Sequence, residues 1–265
     1  MKTNKTNTGK LRKLVNTFIG LLLLIAVWSG IVLSNKYDRS LFPSPIDVLS
    51  GMKELITDGT LFSHIQTSML RFILGYSTAV VCGIILGLIF GWFRKFWEIV
   101  DPIVQVLRPV SPIAWFPFIV LWFGIGNLPA IVIIFIAAFY PVLLSTVSSV
   151  GKVDQTYLKV AKNFGLKQPQ VFTKIIFPAA FPHIATGLHI ALGSAWVFLV
   201  AGEMVGAQSG LGFLIIDARN NLRSDLVLAG IIFIGISGLL LDKAIGMLEM
   251  WIGKNWGISP NERGI

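Results

Sequence analysis

The chain has 265 residues, of which 54% are hydrophobic and 13% are charged, whereas a soluble domain carries about a quarter charged residues. One membrane span needs about 20 apolar residues, so this length holds five or six spans and leaves little chain for a soluble domain. The net charge of +9 fits the basic cytosolic loops of membrane proteins. Without a soluble basic domain, it does not indicate nucleic-acid binding.

The first predicted element is a membrane span at residues 15–33. Five basic residues precede this apolar run, which is the order found in a secretory signal peptide. No small-x-small cleavage site follows the run, which is also long for a cleaved signal core. We therefore expect a retained span whose N-terminus lies in the cytosol.

An outside segment follows, with a short amphipathic helix at residues 43–58. Ser44 and Pro45 suit the first turn of this helix, because proline is tolerated where the backbone N–H has no helical partner. Apolar residues at helical spacing predict that one face rests on the membrane interface. These residues are Ile46, Leu49, Met52 and Ile56.

The second, third and fourth spans are predicted at residues 66–91, 99–124 and 129–150. The second span carries glycines four residues apart, which form a stripe for close helix packing. The third span is interrupted by prolines, which remove backbone hydrogen bonds from a helix. The glycines are Gly83, Gly87 and Gly91, and the prolines are Pro102, Pro109, Pro112 and Pro117.

The fifth and sixth spans are predicted at residues 181–205 and 226–250. Of the 22 Lys and Arg residues, 15 fall in segments assigned to the cytosol and 5 in segments assigned to the outside. This positive-inside bias predicts that both termini are cytosolic and that the number of spans is even. The chain is thus expected to form one all-α transmembrane domain over residues 1–265.

Residues 151–178 interrupt the apolar spans with a basic, amphipathic segment that predicts a helical hairpin. Gly165 lies where a left-handed helix end favours glycine, and Pro169 fits the first turn of a second short helix ahead of Pro178. Such a hairpin either docks in a groove of another protein or rests on the lipid surface. The apolar stripe of its first helix consists of Val153, Tyr157, Val160, Ala161 and Phe164.

The hairpin resembles the cytoplasmic loop of binding-protein-dependent ABC importer permeases. That loop has Glu-Ala-Ala, three residues, Gly, nine residues and Ile-x-Leu-Pro. Lys159, Val160 and Ala161 stand at the Glu-Ala-Ala positions, Gly165 follows after three residues, and Ile175 to Pro178 follow after nine more. Because Lys159 replaces the Glu, a Glu salt bridge to the ATPase cannot form from this position.

Three further stretches resemble the nitrate, taurine and sulfonate branch of these permeases. They are residues 42–45, 107–127 and 201–215, so that with the hairpin the resemblance covers roughly residues 40–250. The resemblance implies a type I ABC importer permease fold in the bacterial inner membrane. It also implies a small, anionic solute of the nitrate, taurine, alkanesulfonate or bicarbonate class.

The resemblance further implies the partners of the chain: a second copy of itself, two ATP-binding-cassette ATPase subunits, an extracytoplasmic solute-binding protein and membrane lipid. The chain has no Gly-x-x-x-x-Gly-Lys-[Ser/Thr] loop, so ATP and magnesium are expected in the ATPase subunits, and no enzymatic activity or cofactor is expected here. The expected ATPase-coupling residues are Tyr157, Lys159, Val160, Ala161, Phe164, Gly165, Ile175 and Pro178.

The candidates for the translocation path are Arg108, Ser111, Trp115, Glu203 and Arg71. Arg108 either draws an oxyanion through the pore or has a structural role, at the interface or paired with a carboxylate such as that of Asp101. Glu203 is expected to pair with Arg71 in a structural or gating role, and Trp115 either shapes a gate or packs.

Two rival functions are considered. An ion-gradient-driven secondary transporter or channel is disfavoured, because the sequence shows no internal repeat and no acidic relay beyond Glu203. A membrane-embedded enzyme is disfavoured because no nucleophile and base stand together. The three histidines have no partner at metal-ligand spacing and are interpreted as ordinary helix or interface residues.

Overall fold

The computed structural model describes residues 5–34, 38 and 40–255, and every regular element within them is helical. The chain divides into two units, one comprising Met1–Phe62 and Leu214–Ile232 and the other Ser63–Phe213 and Phe233–Ile265. The expected cytosolic termini, residues 1–4 and 256–265, lie outside the described residues, as do the basic residues Lys36 and Arg39.

The first unit contains α1 (Lys5–Leu33) and α2 (Pro45–Thr57). A capping box begins α2: Ser44 Oγ accepts a hydrogen bond from the Asp47 N–H at 3.2 Å, and the Asp47 carboxylate accepts from the Ser44 N–H at 2.9 Å. The buried face of α2 is Val48, Gly51 and Leu55, so the apolar face predicted from the sequence is left largely exposed.

Arg223 ties α2 to the beginning of the last helix. Its Nη2 atom lies 2.6 Å from Oε2 of Glu54 and 2.8 Å from Oδ2 of Asp225. The hydrogen bonds to Asp225 and then to Glu54 raise the pKa of Arg223. Within the first unit, this contact joins α2 to the segment that precedes the last helix.

The second unit is built from helices of very different length, the first of which begins in the chain just before the unit does. They are α3 (Thr60–Trp92), α4 (Arg94–Leu107), a 3₁₀ turn (Pro112–Trp115), α5 (Phe116–Phe123), α6 (Asn127–Gly151), α7 (Gln155–Asn163), α8 (Gln168–Val171) and α9 (Phe177–Gly206). Two further helices, α10 (Leu211–Asn220) and α11 (Ser224–Asn255), each contain residues of both units.

The glycine stripe of α3 lies directly against α6, as the spacing predicted. A Cβ atom added at Gly83 would lie 2.9 Å from Cγ1 of Val142, and one added at Gly91 would lie 2.6 Å from Cβ of Val150. Contacts this short leave no room for any side chain, so only glycine permits the observed distance between these helices.

Five described helices are long and apolar enough to cross a membrane. A sixth span results if α4 and residues 112–123 count as one, although they meet at an angle of 85°. The prolines predicted an interruption of the third span but not its angle, which the structure adds. Pro109 and Pro112 lie at the break, where each ring removes a backbone donor and restricts the residue before it.

The hairpin also differs from its prediction. A separate second helix was expected ahead of Pro178, but α8 continues through a π-helical turn (Phe172–Ile176) into α9. A proline clashes with the carbonyl four residues earlier in an α-helix, and the wider π turn relieves that clash. Helical structure is therefore continuous from Gln168 to Gly206.

Candidate functional site

The inner side of the hairpin is anchored in an apolar cluster at the ends of α3 and α6. Ala161 is 1% exposed and lies in this cluster with the buried residues Val150, Val171 and Ile176. The rings of Trp92 and Phe172 pack beside it with their centroids 4.9 Å apart. The hairpin is therefore fixed to the helices that it joins.

Large apolar side chains on the outer side of α7, and on the residue that follows it, remain exposed. Tyr157 is 59% exposed, Val160 46% and Phe164 80%, and these three residues are called the outward face. Their spacings of three and four residues place them on one side of the helix. Large apolar residues grouped in this way are typical of a protein interaction site.

The structure divides the predicted apolar stripe of α7 lengthwise. Ala161 was predicted on the same face as Val160 and Phe164, but it points inward and is buried. Successive helical residues are rotated by about 100°, so Ala161 and Val160 mark opposite edges of a broad stripe. One edge packs on the cluster, and the other edge remains exposed.

Both ends of the hairpin's first helix are closed by local hydrogen bonds. The Thr156 N–H donates to Oδ1 of Asp154 at 2.8 Å, which lowers the pKa of the Asp154 carboxyl. Gly165 has φ +66°, and the Leu166 N–H then returns to the Ala161 carbonyl at 3.1 Å. This is the left-handed helix end that glycine was predicted to provide.

The remaining coupling candidates have different surroundings. Lys159 is exposed beside the outward face. Ile175 lies in the π-helical turn, partly buried against the inner cluster, and Pro178 follows in the first turn of α9. Ile175 and Pro178 thus belong to the connection between hairpin and span rather than to the exposed surface.

A second candidate site is the buried ion pair of Arg71 and Glu203. Nη1 of Arg71 lies 2.8 Å from Oε1 of Glu203, and the two side chains are 2% and 0% exposed. The contact that the sequence predicted is therefore present, deep between α3 and α9. A buried pair of this kind persists only when hydrogen bonds satisfy its remaining donors and acceptors.

Those hydrogen bonds come from four residues that the sequence reasoning did not connect to the pair. Asn127 accepts from Nε and Nη2 of Arg71 at 2.9 and 2.7 Å, and Ser209 accepts from both terminal nitrogens. Ser68 and the Gly212 N–H donate to the Glu203 carboxylate at 2.8 to 2.9 Å. Ser68 lies three residues before Arg71 on α3, and residues at this spacing share one face of a helix. The sequence alone could therefore have placed Ser68 beside the pair.

Two glycines make this arrangement sterically possible. Gly210 has φ +106°, and a Cβ atom there would overlap the Glu203 carboxylate. At Gly212 a Cβ atom would lie 2.7 Å from Cβ of Glu203. The loop backbone therefore lies directly against the ion pair, and both charges are buried and paired within the chain.

The other pathway candidates are not part of this pair. Arg108 and Ser111 are exposed at the break between α4 and α5, and Trp115 packs against the cluster of Phe116, Ile119 and Ile133. Asp101 accepts a hydrogen bond from Gln105 at 3.0 Å instead of pairing with Arg108. Within residues 5–34, 38 and 40–255, no carboxylate lies within ion-pair distance of Arg108.

His189, interpreted from the sequence as an ordinary helix residue, bridges two helices. Its Nδ1 lies 3.0 Å from Oδ1 of Asp242, and its Nε2 lies 2.9 Å from Oε2 of Glu249. The two acids are seven residues apart, and this spacing in the sequence already places them on one face of a helix, which is α11. Among the residues that the structure describes, no group of three or more His, Cys, Asp or Glu is placed to hold a metal ion.

The chain matches one protein-family model and several known transport proteins over most of its length. A family model described as the binding-protein-dependent transport system inner membrane component matches residues 79–254. The putative aliphatic sulfonates transport permease protein SsuC of Bacillus subtilis (strain 168) is 36% identical, with 90% of this chain and 87% of the relative covered. The taurine transport system permease protein TauC of Escherichia coli (strain K12) is 36% identical, with 90% and 89% covered.

The nitrate import permease protein NrtB of Synechocystis sp. is 37% identical, with 89% of this chain and 88% of the relative covered. Among solved structures, an inward-facing MetNI methionine ABC transporter has a TM-score of 0.52 at 16% identity, with 70% of this chain and 96% of that chain covered. An amino acid ABC transporter has a TM-score of 0.54 at 14% identity, with 77% and 97% covered. These two structures support the fold.

Proposed function

Because the chain belongs to the family of binding-protein-dependent transport system inner membrane components, we propose that it forms the translocation path of an ATP-driven importer. The solute is a small oxyanion or a molecule that carries one. Aliphatic sulfonates, taurine and nitrate are named for the relatives, and all three present negatively charged oxygen atoms. Bicarbonate shares this chemistry.

The outward face of α7 is the observation that carries the proposal. Tyr157, Val160 and Phe164 are exposed on a helix whose other side is buried and whose ends are capped. A groove in a separate ATPase subunit covers this face, and that subunit binds ATP and magnesium. The permease chain itself needs no cofactor.

Force then passes from the ATPase groove to the membrane spans through the hairpin. Ala161 and Ile176 lie in the same buried cluster, and helical structure runs from Gln168 to Gly206. A displacement of the docked hairpin is therefore transmitted to α9 rather than absorbed in a loop. Alternating access follows when two such chains in one transporter tilt together.

The proposed assembly contains two copies of this chain, two ATPase subunits and an extracytoplasmic solute-binding protein, in a bacterial inner membrane. Both termini, outside the described residues, are assigned to the cytosol with the 151–178 hairpin. Residues 1–265 act as a single permease domain, with the span boundaries and the outside segment 43–58 as predicted above.

Along the path, Arg108 attracts the solute and Ser111 and Trp115 flank it. Arg108 is exposed at a helix break, where its guanidinium is available to an oxyanion. Arg71 and Glu203 act instead as a closed structural or gating pair, since each is already satisfied by protein groups.

Arg108→Gln should raise the solute concentration needed for half-maximal uptake while leaving thermal stability unchanged. Unchanged uptake would remove Arg108 from the path.

Affinity purification of the chain in mild detergent, followed by reconstitution in vesicles, tests the proposal. We expect an ATPase subunit to co-purify at stoichiometric amounts, and taurine or nitrate uptake to require ATP and the solute-binding protein. A chain that purifies alone and transports without ATP would instead support the rival function, a secondary transporter driven by an ion gradient.

A further inference from the structure

Two adjoining cavities lie where α3 and α6 end. Their volumes are about 260 and 300 Å³, and both are lined by Gly91, Arg94 and Gly151. Trp92 lines the first cavity, and Trp97, Ser148 and Lys152 line the second. Neither cavity is needed to explain the outward face or the buried ion pair.

The cavities have packed aromatic walls. Trp92 stacks at an inclined angle on Phe172 with ring centroids 4.9 Å apart, and Trp97 packs on Phe90 at 5.9 Å. Gly91 is held against Val150 by the close approach of α3 and α6. Because these contacts fix the lining side chains, the cavities are preformed.

The charge in the cavities is positive and unopposed. None of the residues that line either cavity is acidic. The Arg94 guanidinium reaches over the end of α6, where a Cβ atom added at Gly151 would lie 3.8 Å from Nη2 of Arg94. Across the described ranges, no side-chain hydrogen bond or ion pair satisfies Arg94 or Lys152, so both cations remain available to an anion.

The position of the cavities indicates the source of that anion. α3 and α6 are both long and apolar enough to cross a membrane, and the cavities lie at their ends, Trp92 and Gly151. Tryptophan is enriched at the membrane–water interface, and basic pockets between spans at that level bind lipid headgroups. One tryptophan lines each cavity, and a lipid can pack its glycerol and upper acyl chains against that ring, whereas a soluble anion has no such apolar part.

We propose that these cavities bind the phosphate-bearing headgroup of an anionic phospholipid such as phosphatidylglycerol. Arg94 and Lys152 pair with the phosphate, and Trp92 and Trp97 pack beside the glycerol and the upper acyl chains. The first cavity is also lined by Leu158 and Ile176 of the hairpin, so a bound lipid braces the base of the hairpin. This inference does not depend on the solute or on the proposed ATPase contact.

Native mass spectrometry of the delipidated, purified full-length chain with its co-purifying subunits provides the test. Phosphatidylglycerol should bind more tightly than phosphatidylcholine. Arg94→Gln and Lys152→Gln should each weaken phosphatidylglycerol binding by about five-fold. Lys53→Gln, a matched change at an exposed lysine of α2, should have no effect. Ser148→Phe should fill the second cavity and also reduce binding while both charges remain.

Three results would overturn the proposal. The first is equal affinity for the two lipids, and the second is full phosphatidylglycerol affinity in both Arg94→Gln and Lys152→Gln. The third is loss of lipid binding whenever the ATPase subunit is attached, which would make the cavities part of a protein contact. Competition with inorganic phosphate separates the two sources of the anion, because displacement of the lipid would assign the site to a soluble phosphate.

Discussion

In most proteins apolar side chains are buried and charged side chains are exposed. The outward face of α7 and the Arg71–Glu203 pair both depart from this distribution. At α7, large apolar residues are exposed on the surface of the chain. At the ion pair, two opposite charges are buried among apolar helices. The buried pair is satisfied by hydrogen bonds within the chain, whereas the side chains of the outward face are 46–80% exposed. The difference indicates that the pair stabilises the fold of this chain and that the outward face requires contact with a second protein.

Removal of one charge from the pair should have the largest effect. Glu203→Leu leaves Arg71 buried without a counter-ion and should cost about 3–5 kcal/mol of stability. The double variant Arg71→Met/Glu203→Leu should recover much of that loss, since no lone charge remains. Thermal unfolding in detergent measures both, with the exposed Glu98→Gln as control. Equal losses of stability in the single and double variants would show that the unpaired charge of Arg71 does not cause the destabilisation.

A charge on the outward face should have the next largest effect, on assembly rather than on folding. Phe164→Glu removes an exposed aromatic anchor and should cost about 2 kcal/mol or more of ATPase affinity. The melting temperature of the isolated chain should not change, because Phe164 is 80% exposed. Asn163→Glu places the same charge beside the face and is the matched control. Equal ATPase binding by both variants would contradict the docking role.

Enlargement of the buried edge of α7 should give a smaller effect of the opposite kind. Ala161→Leu forces extra volume into a packed cluster and should cost about 1–3 kcal/mol of hairpin stability. Val160→Leu, one residue away on the exposed edge, should be nearly neutral. Hydrogen exchange of the α7 amides measures the local loss. If Val160→Leu loosened α7 as much as Ala161→Leu, the division of the stripe would be wrong.

The smallest effect is expected at the helix end. Gly165→Ala meets no steric contact, but its φ of +66° costs an L-residue about 1–2 kcal/mol. Gly165→Asn should cost less, because asparagine tolerates this conformation. Uptake by vesicles should fall slightly in the first variant and less in the second. A larger loss for asparagine would mean that the space around Gly165, rather than its φ angle, is what matters.

The local features were accessible from the sequence. The start of α2 at Ser44 and Pro45, the left-handed turn at Gly165 and the glycine stripe ending at Gly91 each follow from the residue types at these positions. The contact between Arg71 and Glu203 was also predictable, because charges inside a membrane span need a partner. In each case the residue type itself determines the backbone conformation, the close contact or the need for a partner.

The remaining features depend on contacts between distant parts of the chain. Nothing near Ala161 in the sequence indicates which edge of its stripe packs against Ile176. The prolines of the third span predict a break but not a bend of 85°. The acids that flank His189 lie more than fifty residues away, so only the packing of α9 on α11 brings them together.

The glycine stripe of α3 has a consequence for how the protein moves. Between Gly83, Gly91 and the facing residues of α6, the helices touch with no intervening side chain on the glycine side. The glycines have no side chain whose rotamer could change to accommodate sliding, so we expect the two helices to move as one rigid body. Any hinge must then lie elsewhere. We expect it at the proline-rich break after α4, where the helical hydrogen bonds of the backbone are already interrupted.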